Sequence, residues 1–204
     1  MKSHSLSVAD PTDLDVARLA VDAARRAEAM GLIASSIMTA DAASIRRLAN
    51  QVRRAGIGVS HADILNNVEP LSSRERARLL ELIIAALDAS PAPEYEWQGL
   101  AQLFPAEDLA ALLHISASSV KRYQSGERET PDHIAARLHF LALVVGDLIG
   151  SYNPTGVRRW FQRKRSLLGG HSPAALLRGE WDPDAEGPAR VRELARRLVT
   201  LTAT

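Results

Sequence analysis

An all-α fold follows from three features of the sequence. Aromatic residues make up only 4% of the 204 residues, alanine and leucine recur throughout, and no stretch alternates apolar and polar residues for long enough to form a strand. The predicted architecture is a helical N-terminal domain over 1–90, a compact helical unit over 94–130 and a further helical module over 131–204. Cysteine is absent, which excludes disulfides, thiolate metal sites and cysteine nucleophiles. No apolar run approaches the roughly 20 residues needed to span a bilayer, and the first residues lack the apolar core of a signal peptide. A cytoplasmic chain with no membrane partner is the expectation.

The spacing predicts a first helix over 13–30, with Val16, Leu19, Ala20, Ala23, Ala27 and Met30 on one face and Arg18, Asp22, Arg25 and Arg26 opposite. Gly31 stops it. A second helix over 40–55 carries Ile45, Leu48, Ala49 and Val52, with Thr39 as its expected cap and Gly56 at its end. A short helix over 60–68 follows, broken by Pro70. Ser72 and Glu75 have capping-box spacing ahead of Leu79, Leu82, Ile83, Ala86 and Leu87, which predicts a fourth helix. Pro91 and Pro93 then interrupt helical periodicity and mark a domain boundary. No internal repeat is evident.

The net charge of +1 hides an uneven distribution. Residues 1–100 hold 11 Lys and Arg against 13 Asp and Glu, whereas residues 121–165 hold nine against four. A local surplus of this kind suits a phosphate-facing surface, although charge runs also arise as solvated helix faces.

Within 105–128 each residue type has a physical job in a pair of helices joined by a tight turn. Pro105 fits a first helical turn, and Glu107 and Asp108 complement the positive end of the dipole. Small Ala110 permits close approach of a second helix, and Leu109, Leu113, Ile115 and Val120 close a shared core. Ser116 caps a helix that starts at Ala117, and Gly126 takes the left-handed conformation that ends it. His114 sits in the turn between them, where a left-handed non-glycine residue costs about 1 kcal/mol. Ser116, Ser118, Ser119, Lys121 and Arg122 belong to the start and outer side of the second helix, and Arg128 follows it. In a helix-turn-helix these positions face the major groove or its phosphates, with Arg122 as the base reader.

Leu109-Ala110-Ala111-Leu112-Leu113, then Ile115-Ser116, Val120-Lys121-Arg122-Tyr123 and Ser125-Gly126-Glu127-Arg128 together resemble helix-turn-helix domains of the Xre class. A long helix over 131–149 comes next. Asn153 and Pro154 start another, which carries Val157, Trp160 and Phe161 among Arg158, Arg159, Arg163, Lys164 and Arg165. It leads into Leu168-Gly169-Gly170-His171-Ser172-Pro173-Ala174-Ala175-Leu176-Leu177, and this order is similar to the C-terminal module of the Xre/MbcA/ParS-type antitoxins. The likeness spans about residues 96–200. It implies an autoregulatory repressor that binds double-stranded DNA and neutralises a RES-domain toxin. Trp160, Leu168, Gly169, Ser172 and Pro173 are then the expected toxin-binding residues. By their mechanics Gly169 and Gly170 make a tight turn, Ser172 caps a short helix and Pro173 takes its first position. Trp160, Phe161, Leu176 and Leu177 equally suit an ordinary core.

Little in the sequence points to catalysis. The six histidines, His4, His61, His114, His133, His139 and His171, lack the i, i+4 pairing with a nearby Glu of a helical zinc site. There is no glycine-rich phosphate loop and no serine in a nucleophile elbow. Asp182, Asp184 and Glu186 read as a solvated loop. No catalytic residue, metal or cofactor is expected. A DNA-binding antitoxin leads the alternatives, ahead of a stand-alone transcription factor or nucleoid-type protein and of a helical adaptor that binds no DNA. A homo-oligomer fits the first two, since such readers commonly engage two half-sites with two-fold symmetry, and residues 1–90 are the expected dimerisation segment.

Overall fold

The computed structural model describes residues 11–34, 41–67 and 71–202. They form α1 (Pro11–Ala29), α2 (Ala42–Arg54), α3 (Val59–Asn66), α4 (Ser73–Ala89), α5 (Pro93–Ala101), α6 (Ala106–Leu113), α7 (Ala117–Gln124), α8 (Asp132–Ile149), α9 (Pro154–Gln162), α10 (Pro173–Leu176) and α11 (Glu186–Thr202). A single 3-10 turn covers Ser166–Leu168. No strand occurs among the described residues, so the fold is all-α.

Local chemistry explains most of the ends. Ser72 and Glu75 form the expected capping box, in which Ser72 Oγ accepts from the Glu75 amide and Glu75 Oε2 accepts from the Ser72 amide at 2.8 Å. Asn153 caps α9 through the Gly156 amide at 2.8 Å. Thr39, the expected cap of α2, lies outside the described residues, and Asp41 does that work by accepting from the Ser44 amide at 2.7 Å. Pro105 sits one position before α6 rather than inside its first turn.

The long helix α8 is the hub. From Ile134 to Leu148 only Ala136 escapes full burial, because α1, α5, α6, α9 and α11 all pack around it. That explains a composition with no polar stripe, since a helix surrounded by others has no solvent face to supply. The N-terminal helix α1 packs against both α4 and α8, and one buried apolar cluster runs from Val16 to Ala195. Core packing therefore crosses the boundary expected near residues 90–94.

Two devices fix α1 in place. At its end Gly31 (φ 75°) meets Gly99 of α5 so closely that a Cβ on Gly31 would lie 2.4 Å from the Tyr95 carbonyl oxygen. Beside it the buried Arg26 donates to Asp88 of α4 at 2.8 Å and pairs with Asp22. Asp88 also receives Arg192 at 3.1 Å and Arg196 at 3.2 Å from α11, so one carboxylate ties α1, α4 and α11.

Candidate nucleic-acid interface

Helix α6 ends where the chain cannot stay right-handed. His114 takes φ 56° and ψ 48°, and the Ile115 amide reaches back to the Ala110 carbonyl at 3.0 Å. Ser116 follows in extended geometry, and its Oγ accepts from the Ser119 amide at 3.1 Å. The Ser118 and Ser119 hydroxyls both lie 2.9 Å from that same oxygen, so three of the candidate serines are bound up in the cap. Beneath them Leu109, Leu113 and Val120 are fully buried between α6 and α7, while Ile115 is half-buried at the edge.

The outer side of α7 is left to cations. Lys121 and Arg122 are exposed, and no carboxylate stands within ion-pair distance of either among the described residues. Gly126 (φ 70°) ends the unit, and the Arg128 amide donates to the Arg122 carbonyl at 3.2 Å, which folds Arg128 back beside α7. Its guanidinium lies 5.7 Å from the centre of the Tyr123 ring. Tyr123 in turn stacks on Trp97 of α5 at 5.8 Å, and Trp97 Nε1 donates to Thr130 Oγ1 at 2.9 Å. A rigid aromatic platform thus sets the position of Arg128.

The rear of the unit is tied to the C-terminal half through the end of α6. Trp181 Nε1 donates to the Leu112 carbonyl at 2.9 Å, and Arg137 of α8 donates to the Leu113 carbonyl at 3.3 Å and the Trp181 carbonyl at 2.7 Å. These donors satisfy carbonyls that a helix C-terminus leaves open. Asp182, Asp184 and Glu186 are exposed, as a solvated loop requires, while the neighbouring Trp181 ring is buried and meets Phe140 edge-on at 5.2 Å. Nothing in the local sequence signals this, because the partners are 44 and 69 residues away.

A basic groove of about 590 Å³ flanks α6, lined by Asp108 and Leu112 on one side and Arg158, Arg159 and Arg163 on the other. Arg158 is anchored through the Leu103 carbonyl at 2.8 Å, whereas Arg159 and Arg163 are exposed. These arginines put further positive charge beside α6, in a groove that no α7 residue lines.

The five residues expected to meet a toxin divide differently. Trp160, Leu168 and Pro173 are buried, and Trp160 packs edge-on against Phe161 at 5.2 Å. Ser172 caps α10 by accepting from the Ala175 amide at 3.2 Å. Only Gly169 (φ 65°) is fully exposed, next to Gly170 (φ 81°) in the expected tight turn. Among the described residues of this module the large apolar side chain that faces outward is Leu167, 59% exposed, which is not one of the five expected toxin-binding residues. Among the described residues no three His, Asp or Glu side chains are placed to hold a metal ion.

Comparison with protein-family models, with curated proteins and with solved structures finds no match. No single helix among the described residues is long and apolar enough to cross a membrane.

Proposed function

We propose that this chain is a sequence-specific, duplex-DNA-binding transcriptional regulator that reads the major groove with α7. The observation that carries the reading is the pairing of α6 and α7 around a left-handed turn, with Lys121 and Arg122 unpaired on the outer side of the second helix and Arg128 beside it. A two-fold dimer on paired half-sites is the natural working form of such a reader. Titration of a selected operator should show affinity falling with salt, each neutralised phosphate contributing about −0.9 to the log–log slope. Arg122→Ala should cost roughly 1–3 kcal/mol and relax preference at one base pair, because a bidentate base contact carries both energy and information. Arg128→Ala should weaken all operator variants alike. Indistinguishable behaviour of the two across an operator panel would sink this division of roles.

The antitoxin reading rests on the order of residues from Trp160 to Leu177, which resembles the toxin-binding module described above. Under it the chain represses its own promoter and neutralises a RES-domain toxin through the surface around Leu167 and Gly169. The burial of Trp160, Leu168 and Pro173 favours a second reading, because the motif has a packing job without any toxin, and that reading is a stand-alone regulator. Co-expression with a toxin encoded beside this gene separates them. A co-purifying complex weakened by Leu167→Asp supports the antitoxin, and recovery of DNA and the chain alone supports the stand-alone regulator.

A further inference from the structure

Helices α2 and α3 repeat the plan of α6 and α7. In each pair the turn after the first helix passes through a left-handed residue, Gly56 (φ 75°) one position past the C-cap Ala55 of α2, or His114 (φ 56°), itself the C-cap of α6. The next residue is an isoleucine whose amide reaches back five positions, from Ile57 to the Val52 carbonyl at 3.1 Å and from Ile115 to the Ala110 carbonyl at 3.0 Å. Two residues past the left-handed position a cap, Gly58 or Ser116, precedes an eight-residue helix. The buried positions then coincide, with Ala62 and Leu65 standing where Val120 and Tyr123 stand. The caps differ, since Gly58 is left-handed and Ser116 extended.

The outer faces carry opposite chemistry. Where α7 presents Ser118, Lys121 and Arg122, α3 presents Ser60, Asp63 and Ile64, so α3 has no cation with which to read a base. The charge lies on α2 instead. That helix has no acidic residue in it and leaves Arg46, Arg47, Asn50, Gln51, Arg53 and Arg54 exposed. Arg53 is engaged with Asp63 at 2.6 Å, and Arg47 donates to Ser44 Oγ at 2.9 Å. Arg46, Arg47 and Arg54 face no carboxylate among the described residues. In a helix-turn-helix the first helix lies across the phosphate backbone while the second enters the groove. We infer that α2 is a second nucleic-acid contact, one that grips the phosphates of a DNA duplex through Arg46, Arg47 and Arg54 without reading sequence.

The test compares salt-dependent binding of the full-length protein to a random-sequence duplex. The variant Arg46→Gln/Arg47→Gln/Arg54→Gln should lower the log–log salt slope by about 2–3 and weaken binding roughly tenfold or more near physiological salt. A control, Arg18→Gln/Arg78→Gln/Arg197→Gln, removes equal charge from arginines that already face Asp15, Glu81 and Glu193, and should leave the slope near that of the unaltered protein. All six side chains are exposed, and thermal melts should coincide. An unchanged slope in the α2 variant, an equal loss in the control, or no binding of the random duplex at low salt would each overturn the inference. Failure of the α7 reading is distinguishable. In that case Arg122→Ala leaves base preference untouched while the α2 variant still loses slope.

Discussion

At the scale of single residues, two positions hold conformations or charges that cost free energy. His114 is the one non-glycine residue with positive φ among the described residues, and its side chain is exposed, so it gains little packing in exchange. His114→Gly should raise stability by about 0.5–1 kcal/mol, seen as a higher Tm. A lower Tm would mean that the imidazole makes a compensating contact. Asp147 is only 4% exposed, and burial pushes its carboxyl up from 3.8 to about 6, with Arg26 at 3.9 Å pulling it back only in part. Between those values the fold holds the proton more tightly than the unfolded chain does. The stability this confers is present in full below about 3.8 and lost as pH rises through about 6, on the order of 3 kcal/mol at 1.36 per unit. Burial pushes Glu96 in the same direction, so Asp147→Asn should flatten the fall in Tm between pH 4 and 6 without abolishing it. Identical pH profiles for the two proteins would dismiss Asp147 as the source.

At the scale of elements, the caps and stops were readable because they depend on residues three or four apart, as at Ser72 with Glu75 and Ser116 with Ser119. Helix α5 is the counterexample. Gly99 lies inside it, where an alanine is ordinarily better by about 1 kcal/mol. Here a Cβ would sit 2.6 Å from both the Ala29 carbonyl oxygen and the Gly31 amide nitrogen, and neither backbone can yield. Gly99→Ala should therefore destabilise by about 2–3 kcal/mol, the cost of forcing packed backbones apart, and thermal denaturation will show the sign. A stabilised variant would mean that α1 and α5 do not cross this closely.

For the whole molecule, α8 decides how far the parts are separable. Its buried faces are covered by α1 on one side and α11 on another, and buried His139 links across to α5 and α4. Its Nε2 donates to the Asp88 carbonyl at 3.1 Å, so the 2.6 Å contact of its Nδ1 with Glu96 holds one shared proton. A chain that starts at Glu94 would leave the α1 side of α8 in water and strip Arg192 of Asp88. Such a chain should lose its cooperative thermal transition and bind hydrophobic dye, whatever residues 1–90 also do for assembly. A sharp transition in the shortened chain would show instead that residues 94–204 form a self-sufficient unit.

The sequence by itself determined the helical class, most of the helices though not α5 or α11, and the chemistry of the α6–α7 turn, because periodicity, caps and stops are local and act within one or two turns of chain. It also put Arg122 on the outer side of α7, since the apolar positions of that helix leave it no inward direction, and Lys121, Arg122 and Arg128 are all exposed. The tertiary structure alone decided which apolar residues belong to the shared core, and so withdrew Trp160, Leu168 and Pro173 from the surface. It alone brought Trp181 beneath α6 and Asp88 to three arginines. It also aligned α2 and α3 with α6 and α7, a repeat that is one of backbone conformation and burial rather than of residue identity. The physical reason is separation along the chain: contacts between residues 40 to 110 positions apart follow from how helices fill space around α8, which no local pattern encodes.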